Sequence, residues 1–389
     1  MIPVSEPVIG QEEIAAVVAA LRRGEISGTF GKSIPQFEQE FAEYCGCKYG
    51  VAVNSGTSAL HLAVAAAGIG LGDEVLVSAS TNIATALAAV HNSAIPVPVD
   101  AEDVTWNLNL DLIESLITSR TRAIIPVHLY GHPVDMDRLT EIAKRHDLVV
   151  IEDCAESHGA TCRGKMTGSF GDMGCFSFYA NKVITTGEGG MVITNDESLA
   201  EQLRLLRNLA FTRPRFRHEA AGYNFRMTGY QAAMGLAQLH KIDDIIAEKR
   251  RVAHTYTRYL QDIPGLRLPV ELDWAFNVYW MYAIVVKPEF GLTRDQLAEA
   301  LWADGIQTRT FFCPMNQQPV LQSLPGFRDV PCPVADRLWE TGLYLPSAWN
   351  LSEQTIKQIT DSIRRTFEQA EKHQGHETRM SSSREKSWG

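Results

Sequence analysis

Leu148-Val149-Val150-Ile151-Glu152-Asp153 is an apolar run that ends in two carboxylates. A short aliphatic run without polar alternation reads as a strand buried on both faces, as in a parallel sheet covered by helices. Its last residue, Asp153, is costly to bury unless a cation meets it. In open α/β sheets, ligands lie beyond the carboxyl ends of the strands. Working outward, similar β-rich runs occur at 51–53, 74–78, 97–99 and 123–127 before it, and at 174–178 and 191–194 after it. Helical stretches at 57–67, 83–92, 110–118 and 135–145 separate the earlier ones. Nearer the N-terminus, Ile14, Val17, Val18 and Leu21 follow a helical spacing and stop at Gly24, which marks an amphipathic helix with a glycine cap. Ile34, Phe37 and Phe41 give a second helix ending near Gly46. This alternation predicts an α/β protein whose mostly parallel central sheet is sandwiched by helices.

After residue 226 the pattern changes. A long helical region, with a break, runs to about Leu260, and Pro264-Gly265 punctuates the chain. A strand (279–286), a helix (295–303), a strand (306–312), a proline-rich loop and a final helix (352–371) follow. The expected organisation is a large domain over 1–250, a smaller C-terminal α+β domain over 251–372 and a flexible polar tail over 373–389.

The chain has 389 residues, a formal net charge of -10, 45% hydrophobic and 21% charged residues. That is ordinary globular composition, which excludes collagen-like, disordered and disulfide-scaffold classes. No basic tract offsets the acidic balance, so a nucleic-acid partner is not expected. No run reaches the roughly 18 apolar residues of a membrane span, and the first residues lack the basic and apolar regions of a signal peptide. The expected compartment is the cytoplasm. The seven cysteines, at 45, 47, 154, 162, 175, 313 and 332, are odd in number and scattered. Cys45-Gly46-Cys47 is too tight for a zinc knuckle, so buried free thiols and no metal site are expected.

Two further segments carry chemistry. Asn54-Ser55-Gly56-Thr57-Ser58 follows a strand and opens a helix. Backbone N–H groups at a helix start, beside hydroxyls and a glycine, suit a phosphate. Asn181-Lys182-Val183-Ile184-Thr185-Thr186-Gly187-Glu188-Gly189-Gly190 sets a lysine between an apolar strand and a glycine-rich turn. Together with Asp153 these parts describe a site for pyridoxal phosphate. The phosphate takes the helix start, the carboxylate keeps the pyridine nitrogen protonated, and the lysine forms the Schiff base and later moves a proton.

At this point the sequence resembles the DegT/DnrJ/EryC1/StrS family of sugar aminotransferases, which have the type I fold of PLP-dependent transferases. The matching segments include Gly24–Gly28, Asn54–Leu60, Pro126-Val127-His128-Leu129-Tyr130-Gly131, 151–160, 176–191, Tyr223-Asn224-Phe225-Arg226-Met227 and Gln231–Gly235. The stretch 308–315 resembles the perosamine-synthase-like branch. The resemblance implies a homodimer with shared active sites. It makes Lys182 the Schiff-base lysine and Asp153 the partner of the pyridine nitrogen. Glu156 falls where many members carry glutamine beside the phenolic oxygen, and Gly56, Thr57 and Ser177 match phosphate contacts. Asn224 matches an asparagine that reaches the neighbouring subunit's phosphate. Asn82 stands where many members stack an aromatic ring on the cofactor. Arg213, Arg215 and Arg309 are candidate substrate contacts, since clustered arginines suit phosphates.

The activity so implied is amino transfer, with glutamate as donor, to a keto-sugar, a nucleotide-linked 4-keto-6-deoxy sugar first among the candidates. The retained Lys182 argues against the dehydratase branch, where a histidine stands at this position. Three alternatives stay open: a non-nucleotide keto-sugar such as a keto-octulosonate as substrate, a PLP-dependent dehydratase, and a PLP-binding regulator without turnover.

Overall fold

The computed structural model describes residues 1–214 and 216–385, with side chains through 372. Seven strands form the main sheet: β1 (Tyr49–Val53), β2 (Glu74–Ser78), β3 (Ile95–Val99), β4 (Thr121–Ile125), β5 (Val149–Asp153), β6 (Met173–Ser177) and β7 (Gly190–Thr194). Their order is β1-β7-β6-β5-β4-β2-β3. Every pairing is parallel except the two made by β7, which runs antiparallel between β1 and β6.

The lack of polar alternation has a direct cause. Successive strand residues point to opposite faces, and both faces are covered. Val75 and Val77 pack with the helices Gly56–Ala66 and Ala84–His91, whereas Leu76 between them packs with the helix Met136–Arg145 on the other side. Val150 and Ile151 divide in the same way.

Because the pairing is parallel, the carboxyl ends of several strands share one edge. Across that edge Val53 pairs with Gly190, Ser177 pairs with the same Gly190, and Asp153 pairs with Cys175. The segments after β1, β5 and β6 therefore start side by side.

A second, four-stranded antiparallel sheet is built from 266–267, 282–286, 342–345 and 309–310 in that order. It packs against Arg294–Ala303 and the last helix. Residue 250, where the sequence divides the chain, lies inside the helix Ile242–Leu260.

Several expectations need correction. The helix expected at 110–118 is a 3-10 turn, Leu110–Leu112, followed by Ile113–Leu116. The helical region after 226 has the expected break, between Gly229–Leu239 and Ile242–Leu260. A strand expected over 306–312 shrinks to Arg309–Thr310. The last helix runs Glu353–Glu385, so the tail expected from 373 is helical backbone as far as 385, and 386–389 lie outside the described residues. The seven cysteines are free and six are buried, as expected, with Cys313 half-buried.

The first helix, Gln11–Arg22, departs in a more telling way. Its apolar stripe faces outward: Ile14, Val18 and Leu21 are 49%, 38% and 49% exposed, while Glu13 is buried. Glu13 accepts hydrogen bonds from Gly10 N–H and Gln238, and pairs with Lys241.

Candidate active site

The helix Gly56–Ala66 opens immediately beyond β1. Ser55 caps it, its hydroxyl accepting from Ser58 N–H at 3.1 Å. Gly56 and Thr57, the first two helical residues, have amides with no carbonyl one turn back to bond. The glycine is required by close approach: a Cβ at Gly56 would come within 2.6 Å of Ser177 Cβ. The N-terminus of this helix therefore sits against the end of β6.

Asp153, at the end of β5, is buried. Its carboxylate accepts from Thr85 Oγ1 at 2.8 Å and Ala155 N–H at 3.1 Å. Burial pushes its carboxyl above the ordinary aspartate value, against the pull of these bonds and of the Lys182 charge. Behind it, Glu152 accepts from the amides of Gly168, Phe170 and Gly171 and pairs with His128, so this buried carboxylate is spent on the fold. His128, Glu152 and Cys154 have donor atoms within 4.8 Å of one another. However, His128 Nδ1 already accepts from Val134 N–H, so protein bonds occupy that ring too.

Glu156 lies one turn beyond Asp153. Its carboxylate accepts from Tyr130 N–H at 2.8 Å. Tyr130 is left-handed, with φ 53°, and the following Gly131 has φ 105°. A side chain at Gly131 would collide with the backbone of Tyr279 and Trp280 at 2.8 Å. This tight turn thus aims an amide at Glu156 and lets Trp280 close in from the other side. Burial raises the Glu156 carboxyl to about 7, with Lys182 opposing the shift.

Lys182 sits in the turn after β6, its amide bonded to Tyr179 O. Its Nζ lies 3.8 Å from the centre of the Trp280 ring, and the Trp280 indole donates to Asn181 O at 2.7 Å. Burial pushes the lysine amine below its ordinary value, with the Glu156 and Asp153 charges resisting. A lowered pKa makes an amine a better nucleophile and base near neutrality.

One cavity of about 300 Å³ brings these groups together. Gly56, Thr57, Asn82, Asp153, Glu156, Ser177 and Lys182 all line it. Asn82 contributes an exposed side chain that accepts from Ala84 N–H at 3.0 Å, so it shapes the turn before the helix Ala84–His91. Asn224 and Arg213 are exposed and do not line this cavity; Arg215 lies outside the described residues. Arg309 is exposed and pairs in the small sheet with Tyr344, which does line it.

The sequence reading missed Thr85, Trp280, Phe312 and Tyr344. Thr85 carried a usable signal: it stands one helical turn after Thr81, and the two hydroxyls lie 3.0 Å apart. The aromatic residues carried none, because the fold brings them in from a sheet about 100 residues further on.

The residues fit pyridoxal phosphate. Free amides at a helix start beside Ser177 suit its phosphate, buried Asp153 lacks a full cationic partner, and a lysine of lowered pKa shares the cavity with Asp153 and Glu156 and feels the charge of both. Glu156 also supplies a test of these electrostatics. Its proton is held more tightly in the folded than in the unfolded state, so stability falls as pH rises from about 4.5 through about 7. Cofactor-free Glu156→Gln should match the wild type at pH 5 and melt higher at pH 8, by on the order of 2 °C or more. Equal melting at both pH values would place the Glu156 pKa near its ordinary value.

Residues 7–364 match the model of the DegT/DnrJ/EryC1/StrS aminotransferase family. The GDP-perosamine synthase of Caulobacter vibrioides is 45% identical over 336 residues, 86% of this chain and 90% of that protein. Among solved structures, S. venezuelae DesV in complex with a ketimine intermediate has a TM-score of 0.85 at 38% identity, covering 92% of this chain and 94% of that one. Streptococcus pneumoniae Spr1654 in its PLP form has a TM-score of 0.88 at 27% identity, covering 95% and 99%. The fold is therefore the aminotransferase fold expected from the sequence.

Proposed function

The chain belongs to the DegT/DnrJ/EryC1/StrS aminotransferase family, and from that membership we propose a PLP-dependent amino transfer from glutamate to a nucleotide-linked keto-sugar at the cavity around Lys182. The observation that carries the reading is the convergence of Lys182, Asp153, Glu156 and the start of the helix Gly56–Ala66 on that one cavity. The 45% identity to a GDP-perosamine synthase favours a nucleotide-linked sugar over the other keto-sugars.

Bound pyridoxal phosphate supplies an aldehyde that captures amines and a cationic ring that accepts an electron pair. The protein does the rest. The Gly56 and Thr57 amides and the Ser177 hydroxyl hold the phosphate. Asp153, anchored by Thr85, holds the proton on the pyridine nitrogen. Lys182 Nζ would carry the proton from the donor's α-carbon to C4′ of the cofactor, and in the second half-reaction carry one from C4′ to the sugar carbon that receives the amino group. Glu156, with a pKa of about 7, can keep a proton near neutrality and donate it as a hydrogen bond to the phenolic oxygen. This removes the repulsion that a permanently ionised carboxylate would bring. Arg213 and Arg309, which do not line the cavity, serve the nucleotide's phosphates, and Arg215 is assigned the same role from its place in the sequence.

An assay of amino transfer from glutamate across nucleotide-linked and free keto-sugars tests the reading. Turnover confined to free sugars would replace the substrate class. Cofactor binding without turnover on any of them would favour a regulator.

The active unit in this proposal is a homodimer. Exposed Ile14, Val18 and Leu21 form an apolar stripe for a second copy, and Asn224 lies outside its own chain's cavity. We infer that Asn224 completes the phosphate site of the partner subunit. A mixture of Lys182→Ala and Asn224→Ala chains should regain activity, because one site in each mixed dimer has both residues intact. At random assembly about half the dimers are mixed, with one good site each, so recovery should approach about a quarter of wild-type activity. No recovery in verified mixed dimers would place Asn224 in its own subunit's site or in none.

A further inference from the structure

Lys249 has no part in the chemistry above, yet it is buried, with 6% exposure, on the helix Ile242–Leu260. No carboxylate among the described residues pairs with it. Among the described residues its side chain makes one hydrogen bond, from Nζ to Ser347 O at 2.8 Å. Burial alone lowers its pKa to about 7. An ammonium or amine in such a place is costly unless its remaining N–H groups find acceptors.

A cavity of about 20 Å³ lies against Lys249, and Asn181, Lys182, Thr185 and Gln238 also line it. One water needs at least about 10–15 Å³ of such space and two to four polar partners. Ser5 and Glu6 of the N-terminal segment line it too, and the other polar side chains on its wall differ in what they have left to offer. Gln238 is spent on Glu13, Val8 O and Thr185 N–H. The Thr185 hydroxyl donates to Phe178 O and accepts from Gly187 N–H. Asn181 Oδ1 is buried with no partner among the described residues. Asn181, which also lines the 300 Å³ cavity and whose Oδ1 has no partner, and Lys249, whose Nζ has N–H groups beyond its bond to Ser347 O, thus both line a space large enough for one water.

The backbone of Asn181 is already engaged on its other side. Its carbonyl accepts the Trp280 indole N–H, and that ring covers Lys182 Nζ. We propose that Lys249 is a positioning residue of the amino-transfer site: through one water in this cavity it ties Asn181 to Ser347 and so holds Lys182 against Trp280. The role rests on the assignment of Lys182 made above. Its physical content is that a catalytic amine on a turn must be fixed from behind to stay within reach of the reacting carbon.

Three measurements on the PLP-loaded enzyme test it. In crystals of the wild type at high resolution, a water should lie within hydrogen-bond distance of both Lys249 Nζ and Asn181 Oδ1. Lys249→Met and Asn181→Ala should each lower kcat about 5- to 10-fold, the scale of one buried hydrogen bond, with KM for donor and acceptor changed less than about twofold. The double variant should lose no more than the worse single variant, since both changes break one link. Lys249→Gln, which keeps a donor, should recover most of kcat. If Lys249→Met does not fold, the wild-type density and Asn181→Ala carry the decision. The proposal is overturned by the absence of a shared water, by kcat within twofold of wild type in either single variant, or by additive losses. A wild-type enzyme whose cofactor cannot be fixed to Lys182 by borohydride would instead sink the site assignment, and the crystal water would still report on Lys249.

Discussion

Lys182→Ala will bind the cofactor loosely and will not transfer an amino group. The expected loss is at least about 10³-fold, since the variant lacks both the amine that anchors the aldehyde and the base that moves the proton. The prediction is specific to this residue because Lys182 is the only lysine among the described residues that lines the 300 Å³ cavity. Borohydride treatment of the loaded wild type should bleach its visible absorption band and fix the label on the peptide that contains Lys182. The alanine variant should show neither the band nor the label. A label on another lysine, or turnover near the wild-type rate in the variant, would remove Lys182 from the chemistry. The variant should remain folded, because the Lys182 side chain makes no hydrogen bond among the described residues, and its loss gives up the contact with the Trp280 ring.

Asp153→Asn comes second in expected effect. Opposite charges about 4 Å apart at an effective dielectric near 20 attract by about 4 kcal/mol. Losing that attraction on the ring nitrogen lowers turnover by about 10³-fold. The substitution keeps the shape of the side chain, so the Thr85 hydroxyl can still donate to the remaining oxygen and the protein should fold. The cofactor should stay on Lys182 while transfer is lost, which separates this variant from Lys182→Ala. Turnover within tenfold of the wild type would show that Asp153 does not hold the ring proton. Normal turnover of a Thr85→Val variant would show that its anchoring does not depend on the hydroxyl that the tertiary structure supplies.

The sheet was legible because burial on both faces writes itself into composition. The strands of the main sheet are mostly apolar runs, and the helices between carry their own period. The charged residues of the site were legible for the opposite reason. Asp153 interrupts an apolar strand at its end, and Lys182 stands among residues that otherwise pack, so each is conspicuous where it is costly. The first helix shows where the same logic fails. An apolar stripe at helical spacing predicts a buried face, but in the single chain Ile14, Val18 and Leu21 face outward. Periodicity reports that a face is to be covered and does not report by what.

By itself, then, the sequence determined the α/β architecture, the positions of the carboxylate at a strand end and of the lysine beyond one, and the glycine-containing helix start proposed to hold a phosphate, since each depends on neighbours within a few residues. Only the tertiary structure decided what surrounds them. Thr85 reaches Asp153 across 68 positions, Trp280 arrives beside Lys182 from 99 positions beyond Asn181, Tyr130 turns its amide on Glu156, and Lys249 lines the same small cavity as Asn181. These are contacts of side chains far apart in the chain. Whether a buried amine or carboxyl is charged follows from the dielectric and the partners that the packed fold places around it, not from its place in the sequence.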